Sequence, residues 1–439
     1  MTRRSARTAA IWQNWSGLAT ADPVQVTTPA DASEVAEVVR SARARGLTAK
    51  MVGSGHSFTD IAVADGVLLR PEGLVGVRSV DRQAMTVTVL SGTPLHELNA
   101  RLFGLGLALH NLGDIDEQTI AGAIATGTHG TGGRWASLSA QVAALELVLG
   151  DGSVVQASPE HNADLFSAAR VGLGALGIVT AVTLNVEPAF TLEAFEEPMS
   201  WDQAVGGFDE LVATNEHLDM YWFPHTDRML TKRNNRTLDA PRPLSRFRGY
   251  VDDELLSNTV FGWLNRLGNA VPRAIPIINQ VSSRALSARR FSDASHRVFT
   301  SPRRVAFREM EYAVPRQVGM EALREVRNLV DSSNWRISFP VEVRVAPADD
   351  VWLSTAHGRD SMYLAFHVNA QTDHASYFLT VEWLLREYDG RPHWGKLHTR
   401  TAADLEPAYE RWTDFQRLRD QVDPERLFTN QYLERVLGS

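Results

Sequence analysis

The stretch at residues 52–60, VGSGHSFTD, constrains the fold more than any other part of the sequence. Glycine tolerates positive φ and lets a ligand approach the backbone, and successive N–H groups in such a turn form an anion-binding concavity. His56 lies in the middle of the turn, where it can touch whatever carries the anion. We interpret the turn as a loop for a phosphate-bearing cofactor. A surface turn with a chance histidine is the alternative that this stretch alone leaves open.

The residues before the turn predict a strand–helix–strand unit that leads into it. Alternation at 24–26 and the run at 48–52 predict two strands. Between them, apolar residues at helical spacing predict a helix that begins after Asp31 and ends at Gly46. Later patterns predict strands at 67–69 and 85–89, a helix at 94–102, and a hairpin over 145–155.

A second glycine cluster occupies residues 112–132 and contains the run AGAIATGTHGTG. Its small residues and hydroxyls could let the backbone lie against a flat or phosphorylated ligand. A packed small-residue helix followed by a glycine turn is the alternative. The preceding phosphate-type loop favours the ligand interpretation.

A third glycine run, GLGALG at 172–177, matches the dinucleotide fingerprint G-x-G-x-x-G in letters only. That fingerprint must follow a strand and open a helix. Here a helical pattern at 164–170 comes first, and a β-branched strand at 178–184 follows. The sequence therefore argues against a Rossmann domain for NAD.

Composition narrows the function classes. The 439 residues carry a net charge of −8, which argues against nucleic-acid or anionic-membrane binding, and they predict two or three domains. The absence of cysteine excludes disulfides, thiolate metal sites and a cysteine nucleophile. No apolar run approaches the roughly 18 residues of a membrane span, and none follows Arg3 and Arg4 as in an export signal. We expect a soluble cytoplasmic protein.

The character of the sequence changes after Pro188. Strands are predicted at 221–224 and 307–314, and an amphipathic helix at 321–330. Residues 252–302 are predicted to be helical, with apolar residues scattered among basic ones. We interpret this stretch as a cap over the second domain, with peripheral contact to a membrane surface or a partner as the less favoured alternative.

Residues 341–345 alternate in a way that separates two faces of a strand. The valines share one face, and Glu342 and Arg344 share the other. If the polar face is exposed to solvent, this is an ordinary surface strand, which the pattern alone slightly favours. If it lines a cavity, it is a fixed polar clamp for a hydroxylated substrate.

The segment RPHWGKLH at 391–398 is another candidate site. A histidine, a tryptophan and a lysine around a glycine suit a polar site with an aromatic wall. His393 and His398 lack the H-E-x-x-H pattern and a carboxylate at ligand spacing, so we predict no metal site. The sequence also lacks the G-x-S-x-G elbow of serine hydrolases and a P-loop.

Four of these motifs resemble, in this order, those of the sugar-1,4-lactone oxidases, which are FAD flavoproteins of the vanillyl-alcohol-oxidase type. The four motifs are GSGHSF at 53–58, ATGTHGTG at 125–132, EVR at 342–344 and HWGK at 393–396. Gulonolactone, arabinonolactone and galactonolactone oxidoreductases and the alditol oxidases are similar. The resemblance extends from about residue 15 to 433 and includes DPERLFTNQYL at 423–433, which is similar to the family's C-terminal return.

The resemblance implies a two-domain α+β fold. Residues 15–187 would form a bipartite FAD-binding domain of two α/β subdomains, of the type called PCMH. Residues 188–400 would form a substrate domain, an antiparallel sheet flanked by helices that caps the isoalloxazine ring. Residues 401–439 would return to the FAD-binding domain.

The resemblance also implies the residues that contact FAD. His56 falls where many members attach the flavin 8α-methyl group covalently. Lys396 would approach flavin N1 and the substrate, where a cation stabilises the reduced ring. The remaining implied contacts are Gly53, Ser54, Gly55 and Ser57 at the pyrophosphate, Gly113, Thr119, Gly122, Thr126, Gly127, Thr128 and His129 along the phosphates and flavin, Gly177 and Ile178 near the adenine, and His393 beside the flavin.

For the substrate, the resemblance implies that Glu342 and Arg344 bind hydroxyl groups of a sugar lactone or polyol. Asp114 stands where some alditol oxidases have a hydroxyl residue, which favours a lactone, and His367 is a further pocket candidate. The expected reaction is hydride transfer from an alcohol carbon to flavin, with oxygen or another acceptor reoxidising it. Alditol oxidation and non-catalytic binding of flavin or sugar are the alternatives.

Overall fold

The computed structural model describes residues 11–244, 271–301 and 305–439. Its strands, β1 to β20 in chain order, are Trp12–Gln13, Thr20–Ala21, Gln25–Thr27, Ala49–Met51, Val67–Leu69, Val77–Asp81, Thr86–Leu90, Leu107–Ala108, Val142–Val148, Val154–Ala157, Ile178–Asn185, Glu187–Pro188, Thr191–Ser200, His217–Trp222, Arg228–Thr237, Arg289–Ala294, Phe307–Pro315, Val341–Ala346, Ser361–Asn369 and Arg391–Pro392. Its described helices, α1 to α13, are Ala32–Ala44, Leu95–Gly104, Ile120–Ala125, Ala163–Ala169, Trp201–Gly206, Phe208–Thr214, Ile275–Ala285, Ser295–Phe299, Arg316–Ser332, Ala375–Arg386, Ala402–Leu405, Trp412–Val422 and Gln431–Leu437.

The predicted strand–helix–strand unit is confirmed as part of a small parallel sheet with the order β3-β5-β4. Asp31 caps α1 by accepting a hydrogen bond from the backbone N–H of Glu34 at 2.9 Å. Gly46 follows the helix with φ +61°, a conformation that side chains disfavour. The chain then enters β4 and the glycine-rich turn.

A second, antiparallel sheet has the order β10-β9-β11-β7-β6 and contains the predicted hairpin as β9 and β10. The GLGALG run connects α4 to β11, so a helix precedes it and a strand follows. This is the reverse of the dinucleotide-fingerprint order, as the sequence predicts.

The second half of the chain forms an eight-stranded antiparallel sheet with the order β16-β13-β15-β14-β18-β19-β17-β20. Because side chains alternate along each strand, directly opposed residues share a face. The apolar face carries Met220, Trp222, Val341, Val343, Val345, Met362, Leu364, Phe366, Met310, Tyr312 and Val314, which pack in one core with α9 and α10. What we call the polar face carries Asp219, Tyr221, Glu342, Arg344, Tyr363, Ala365, His367, Glu309 and Glu311.

The prediction of a helical stretch at 252–302 is wrong in part. Residues 252–270 and 302 lie outside the described residues. Of the rest, α7 and α8 agree with the prediction. Between them, however, β16 is an edge strand that pairs with β13. Arg289 ion-pairs across this pairing with Glu196 at 2.6 Å, so tertiary contacts stabilise a strand that its local sequence does not favour.

The C-terminal segment packs against the N-terminal parallel sheet. The backbone N–H of Ala49 donates to the carbonyl of Leu427 at 2.9 Å. Asn430, which caps α13, donates through its side chain to three carbonyls in the loop after the glycine-rich turn, at Asp60, Ile61 and Val63. Among the described residues, no helix is both long enough and apolar enough to cross a membrane.

Candidate active site

Three adjoining cavities form a cleft between the two small sheets and the polar face. The first segment is lined by Gly177 and Ile178, the second by the turn at 53–57, and the third by Arg344 and Lys396. Neighbouring segments share wall residues: Lys50, Gly53, Thr119, Gly122 and Gly174 belong to the first and second, and His56, Ser57, Gln118 and Thr126 to the second and third.

The glycine-rich turn lies directly against the N-terminus of α3. A Cβ atom on Gly53 would lie 2.6 Å from the hydroxyl oxygen of Thr119, so any larger residue would force a shift there. The turn is fixed from outside, because Trp15 N–H donates to Gly55 at 2.8 Å and Asn14 donates to Ser57 at 2.9 Å. The exposed edge of the turn is therefore a rigid backbone wall of the cleft.

His56 lies where the second and third segments meet. Its ring stacks on Trp15 with centroids 5.5 Å apart. Burial lowers the pKa of His56 and outweighs the opposing charge of Glu117. A neutral imidazole thus borders the cavity that also contains Lys396.

The predicted HWGK segment joins the two halves of the cleft. The backbone N–H groups of His393 and Leu397 donate to the carbonyls of Glu311 and Glu309 at 2.9 and 3.0 Å. On its other side, Phe58 N–H donates to Gly395 at 2.7 Å. These bonds fix Lys396 between β17 and the residues that follow the glycine-rich turn.

Lys396 and His367 share one carboxylate, that of Glu309. The ammonium group of Lys396 donates a short hydrogen bond to it, and Nε2 of His367 lies 3.4 Å from its other oxygen. Burial raises the pKa of Glu309, but the charges of Lys396 and His367 outweigh burial and hold it at about 2. Burial acts to lower the pKa of Lys396. The negative charges of Glu309 and Glu311 have the larger effect, so the pKa of Lys396 is raised. Lys396 is therefore a cation at neutral pH.

A second buried carboxylate, Glu311, lies beside two histidines. Nε2 of His129 is 3.1 Å from Glu311, and its Nδ1 is 2.8 Å from the carbonyl of Gly130. Burial lowers the pKa of His393 to about 4, despite the opposing charge of Glu311. Ligand atoms of His129, Glu311 and His393 lie within 4.8 Å of one another. Both ring nitrogens of His129 therefore already have hydrogen-bond partners within the protein, Gly130 and Glu311.

Arg344 is surrounded by carboxylates at the far end of the third segment. Its guanidinium group lies 2.8 Å from Asp219, 2.6 Å from Glu342 and 3.5 Å from Asp114. Glu342 is 5% exposed and Arg344 9%, so the interpretation of β18 as a surface strand is wrong. The reason is that β14 and β19 flank β18 and this face lines the cleft.

The structure brings nearly all of the predicted site residues to this cleft. The exception is Gly127, which forms the turn after α3 with φ +77° and does not line it. The alternative for the second glycine cluster, a small-residue helix followed by a glycine turn, matches α3 and Gly127 locally. Gly122 on that helix nevertheless lines the first two segments.

Sequence reasoning missed three charged residues that line the cleft, Lys50, Glu309 and Glu311, and a fourth, Asp219, that contacts Arg344 behind it. Glu309 and Glu311 stand two apart in β17 and therefore share a face, the same signal that identified Glu342 and Arg344. Lys50 interrupts an otherwise apolar strand. Asp219 gives no comparable signal, because only strand pairing brings it to Arg344.

Comparisons with known proteins agree with this architecture. Residues 182–436 match the family model described as D-arabinono-1,4-lactone oxidase, and residues 23–158 match an FAD binding domain. The fold is similar to that of cholesterol oxidase from Brevibacterium sterolicum, with a TM-score of 0.82 at 18% identity over 97% of this chain and 96% of that one.

Curated relatives cover almost the full length. L-gulono-1,4-lactone dehydrogenase from Mycobacterium tuberculosis is 41% identical over 98% of this chain and 99% of its own. L-gulonolactone oxidase from Mus musculus and alditol oxidase from a Streptomyces species are each 33% identical over 97% of this chain and 98% of theirs. The chain therefore belongs to the D-arabinono-1,4-lactone oxidase family of FAD-binding oxidoreductases.

Proposed function

We propose that this chain is an FAD-dependent oxidoreductase that oxidises a CH–OH group of a sugar-1,4-lactone of the gulono-, galactono- or arabinono- type. The observation that carries the proposal is that Arg344, Glu342 and the Lys396–Glu309 pair line the same cleft as His56. We retain 15–187, 188–400 and 401–439 as the proposed domain bounds.

The residues of the cleft fit FAD. The first two segments have glycine-rich backbone walls and contain a buried cation, Lys50, which suits a ligand with a negatively charged centre. We assign the turn at 53–57 to the diphosphate, with Thr119 and Gly122 opposite, and Gly177 and Ile178 to the adenine end. When bound, FAD accepts a hydride from the substrate carbon.

The third segment provides hydrogen-bond partners for a hydroxylated ring. Glu342 and Asp114 present carboxylate oxygens that accept hydrogen bonds from hydroxyls, and Arg344 donates to ring or carbonyl oxygens. Because Arg344 already faces three carboxylates, this end suits an uncharged substrate better than a carboxylic acid. The reacting hydroxyl would hydrogen-bond to these carboxylates, one of which would accept its proton as the hydride leaves the carbon.

Lys396 has an electrostatic role in this proposal. Its ammonium group, held cationic by Glu309, supplies positive charge where negative charge develops during hydride transfer. His393 stays neutral beside it. His367, which shares Glu309 with Lys396, forms the adjoining wall.

His56 is the proposed attachment residue for the flavin. Its neutral imidazole is a nucleophile, whereas an imidazolium is not. Denaturation of the purified protein with acid should leave the yellow colour in the pellet. Colour that appears entirely in the supernatant would show that the bond is absent.

The substrate test is anaerobic bleaching of the flavin absorbance. We expect a 1,4-lactone to bleach the flavin faster than xylitol or sorbitol at equal concentration. Faster bleaching by the alditols would favour alditol oxidation, and no bleaching by either class would favour a non-catalytic binding protein. Turnover measured with oxygen and with an artificial dye acceptor then shows whether oxygen or another acceptor reoxidises the flavin.

A further inference from the structure

Lys50 is a buried ammonium group at the junction of the first and second cleft segments. It is 5% exposed, donates to the carbonyl of Phe428 at 3.1 Å and lies 3.5 Å from that of Gly174. Among residues 11–244, 271–301 and 305–439, no ion pair joins it to a carboxylate. A buried cation that forms no ion pair is unfavourable unless a ligand provides the opposite charge.

The walls around Lys50 carry no competing charge. Of the described residues that line the first two segments, Lys50 is the only lysine or arginine, and none is an aspartate or glutamate. The sequence has lysine at positions 50, 232 and 396 and nowhere else, whereas arginine is abundant. A lysine head is a compact point charge of the kind that binds phosphate oxygens.

We propose that Lys50 is the counter-charge for the diphosphate of bound FAD, and that FAD binding is therefore linked to protonation of this lysine. The inference deepens the proposed flavin site and rests on it. The diphosphate carries the negative charge of FAD, and the turn that we assign to it begins three residues after Lys50.

The surroundings of Lys50 set the direction of the linkage. Burial and the positive charge of Arg419 lower the pKa of Lys50 to about 7 and outweigh the opposing charge of Asp423. Asp423 itself accepts hydrogen bonds from the backbone of Leu427 and Phe428. A bound diphosphate raises this pKa, so FAD affinity is highest below pH 7 and declines as pH rises above 7.

The test measures flavin release from the full-length holoenzyme carrying His56→Ala, so that no covalent bond at His56 retains the flavin. Ultrafiltration at pH 6.5 and 9.0 gives the dissociation constant for FAD. Lys50→Met removes the charge, and Lys50→Arg keeps it at both pH values. Lys232→Met is the matched control, because Lys232 donates to the carbonyl of Val298 outside the cleft.

We expect Lys50→Met to weaken FAD binding about 10- to 100-fold at pH 6.5. The parent and Lys232→Met should both bind FAD more weakly at pH 9.0, whereas both Lys50 variants should bind it equally at the two pH values. A Lys50→Met protein that retains FAD like the parent, or a parent with the same affinity at both pH values, would overturn the proposal. If Lys50→Met does not fold, the pH dependence of Lys50→Arg decides. Turnover is not measured, so failure here is distinct from failure of the proposed reaction.

Discussion

Neighbouring residues of β18 contribute to different properties of the molecule. Val343 packs in the core on the apolar face, while Glu342 and Arg344 on either side of it line the cleft. Because side chains alternate between the two faces of this strand, the residues that stabilise the fold and the residues that line the site lie side by side in the sequence. Substitutions on the polar face should change kinetics first, and substitutions of the valines should change folding first.

Arg344→Lys tests the cluster of carboxylates. We expect kcat/KM for the lactone to fall roughly 10²- to 10³-fold, because lysine cannot contact Asp219 and Glu342 with a planar fork. Steady-state kinetics on flavin-loaded protein measures the effect. The matched control is Arg233→Lys, whose partner Glu197 lies outside the cleft. Equal losses in both variants would refute a specific role for Arg344.

Glu309→Gln tests how Lys396 is kept charged. The charge of Glu309 raises the pKa of Lys396, so its loss lowers that pKa and the ammonium deprotonates at lower pH. The alkaline limb of kcat/KM should move down by about one pH unit or more, as measured between pH 6.5 and 10. Glu382→Gln is the control, because Glu382 accepts a hydrogen bond from Tyr312, which lies on the opposite face. An unshifted alkaline limb in Glu309→Gln would contradict this role.

At the residue scale, a motif is visible in the sequence where it is local and is missed where its partner is distant. The turn at 53–57 and the Glu342–Arg344 pair are visible in consecutive letters. Their burial is not, because alternation does not reveal whether a polar face meets solvent or a second domain. Glu309 carried the same alternating signal, but its significance depends on Lys396, 87 residues away.

At the scale of elements, the glycine-rich turn packs closely against the N-terminus of α3, and both line the cleft. Gly53→Ala places a Cβ atom 2.6 Å from the hydroxyl oxygen of Thr119, so either the Thr119 side chain, which caps α3, or the turn must shift. We expect the purified variant to lose most of its flavin, as measured by the ratio of flavin to protein absorbance. Gly104→Ala, at the end of α2, has no atom within 4 Å of its new Cβ and should retain full flavin. Full flavin content in Gly53→Ala would contradict the argument.

Element prediction was reliable for periodic segments and wrong at β16. Helices such as α1 and α9 carry their apolar faces at helical spacing, so their sequences suffice. The segment of β16 reads RRFSDA and lacks β-branched residues. It is a strand because ion pairs and backbone bonds to β13 stabilise it, and no local pattern reports such pairing.

At the scale of the whole molecule, an ionic cluster joins the N-terminal half to the eight-stranded sheet. Glu187 in β12 contacts His110 at 2.9 Å and Arg236 of β15 at 2.5 Å. Arg236 also contacts Glu216 at 3.0 Å. Burial raises the pKa of Glu187, but hydrogen bonds from His110 and Arg236 outweigh it and lower the pKa to about 2. The cluster is therefore intact at neutral pH and is lost in acid.

Arg236→Ala should destabilise the protein by about 1–3 kcal/mol at pH 7, because it leaves Glu187 partly unpaired. The depressed pKa of Glu187 contributes stability that is present above pH 4.5 and lost as pH falls towards 2, so the difference from the parent should shrink in that range. Thermal denaturation at several pH values measures both effects. Arg290→Ala, whose ion pair with Glu193 is solvent-exposed, is the control and should change little. A deficit that stays constant down to pH 2 would contradict this account.

The contacts of Leu427 and Asn430 with the N-terminal parallel sheet also affect biosynthesis. The residues that complete this sheet emerge from the ribosome only after the whole eight-stranded sheet has been translated. The N-terminal parallel sheet therefore makes these contacts only after residues 427–430 have been translated. Insertion of the flavin then follows translation of the eight-stranded sheet.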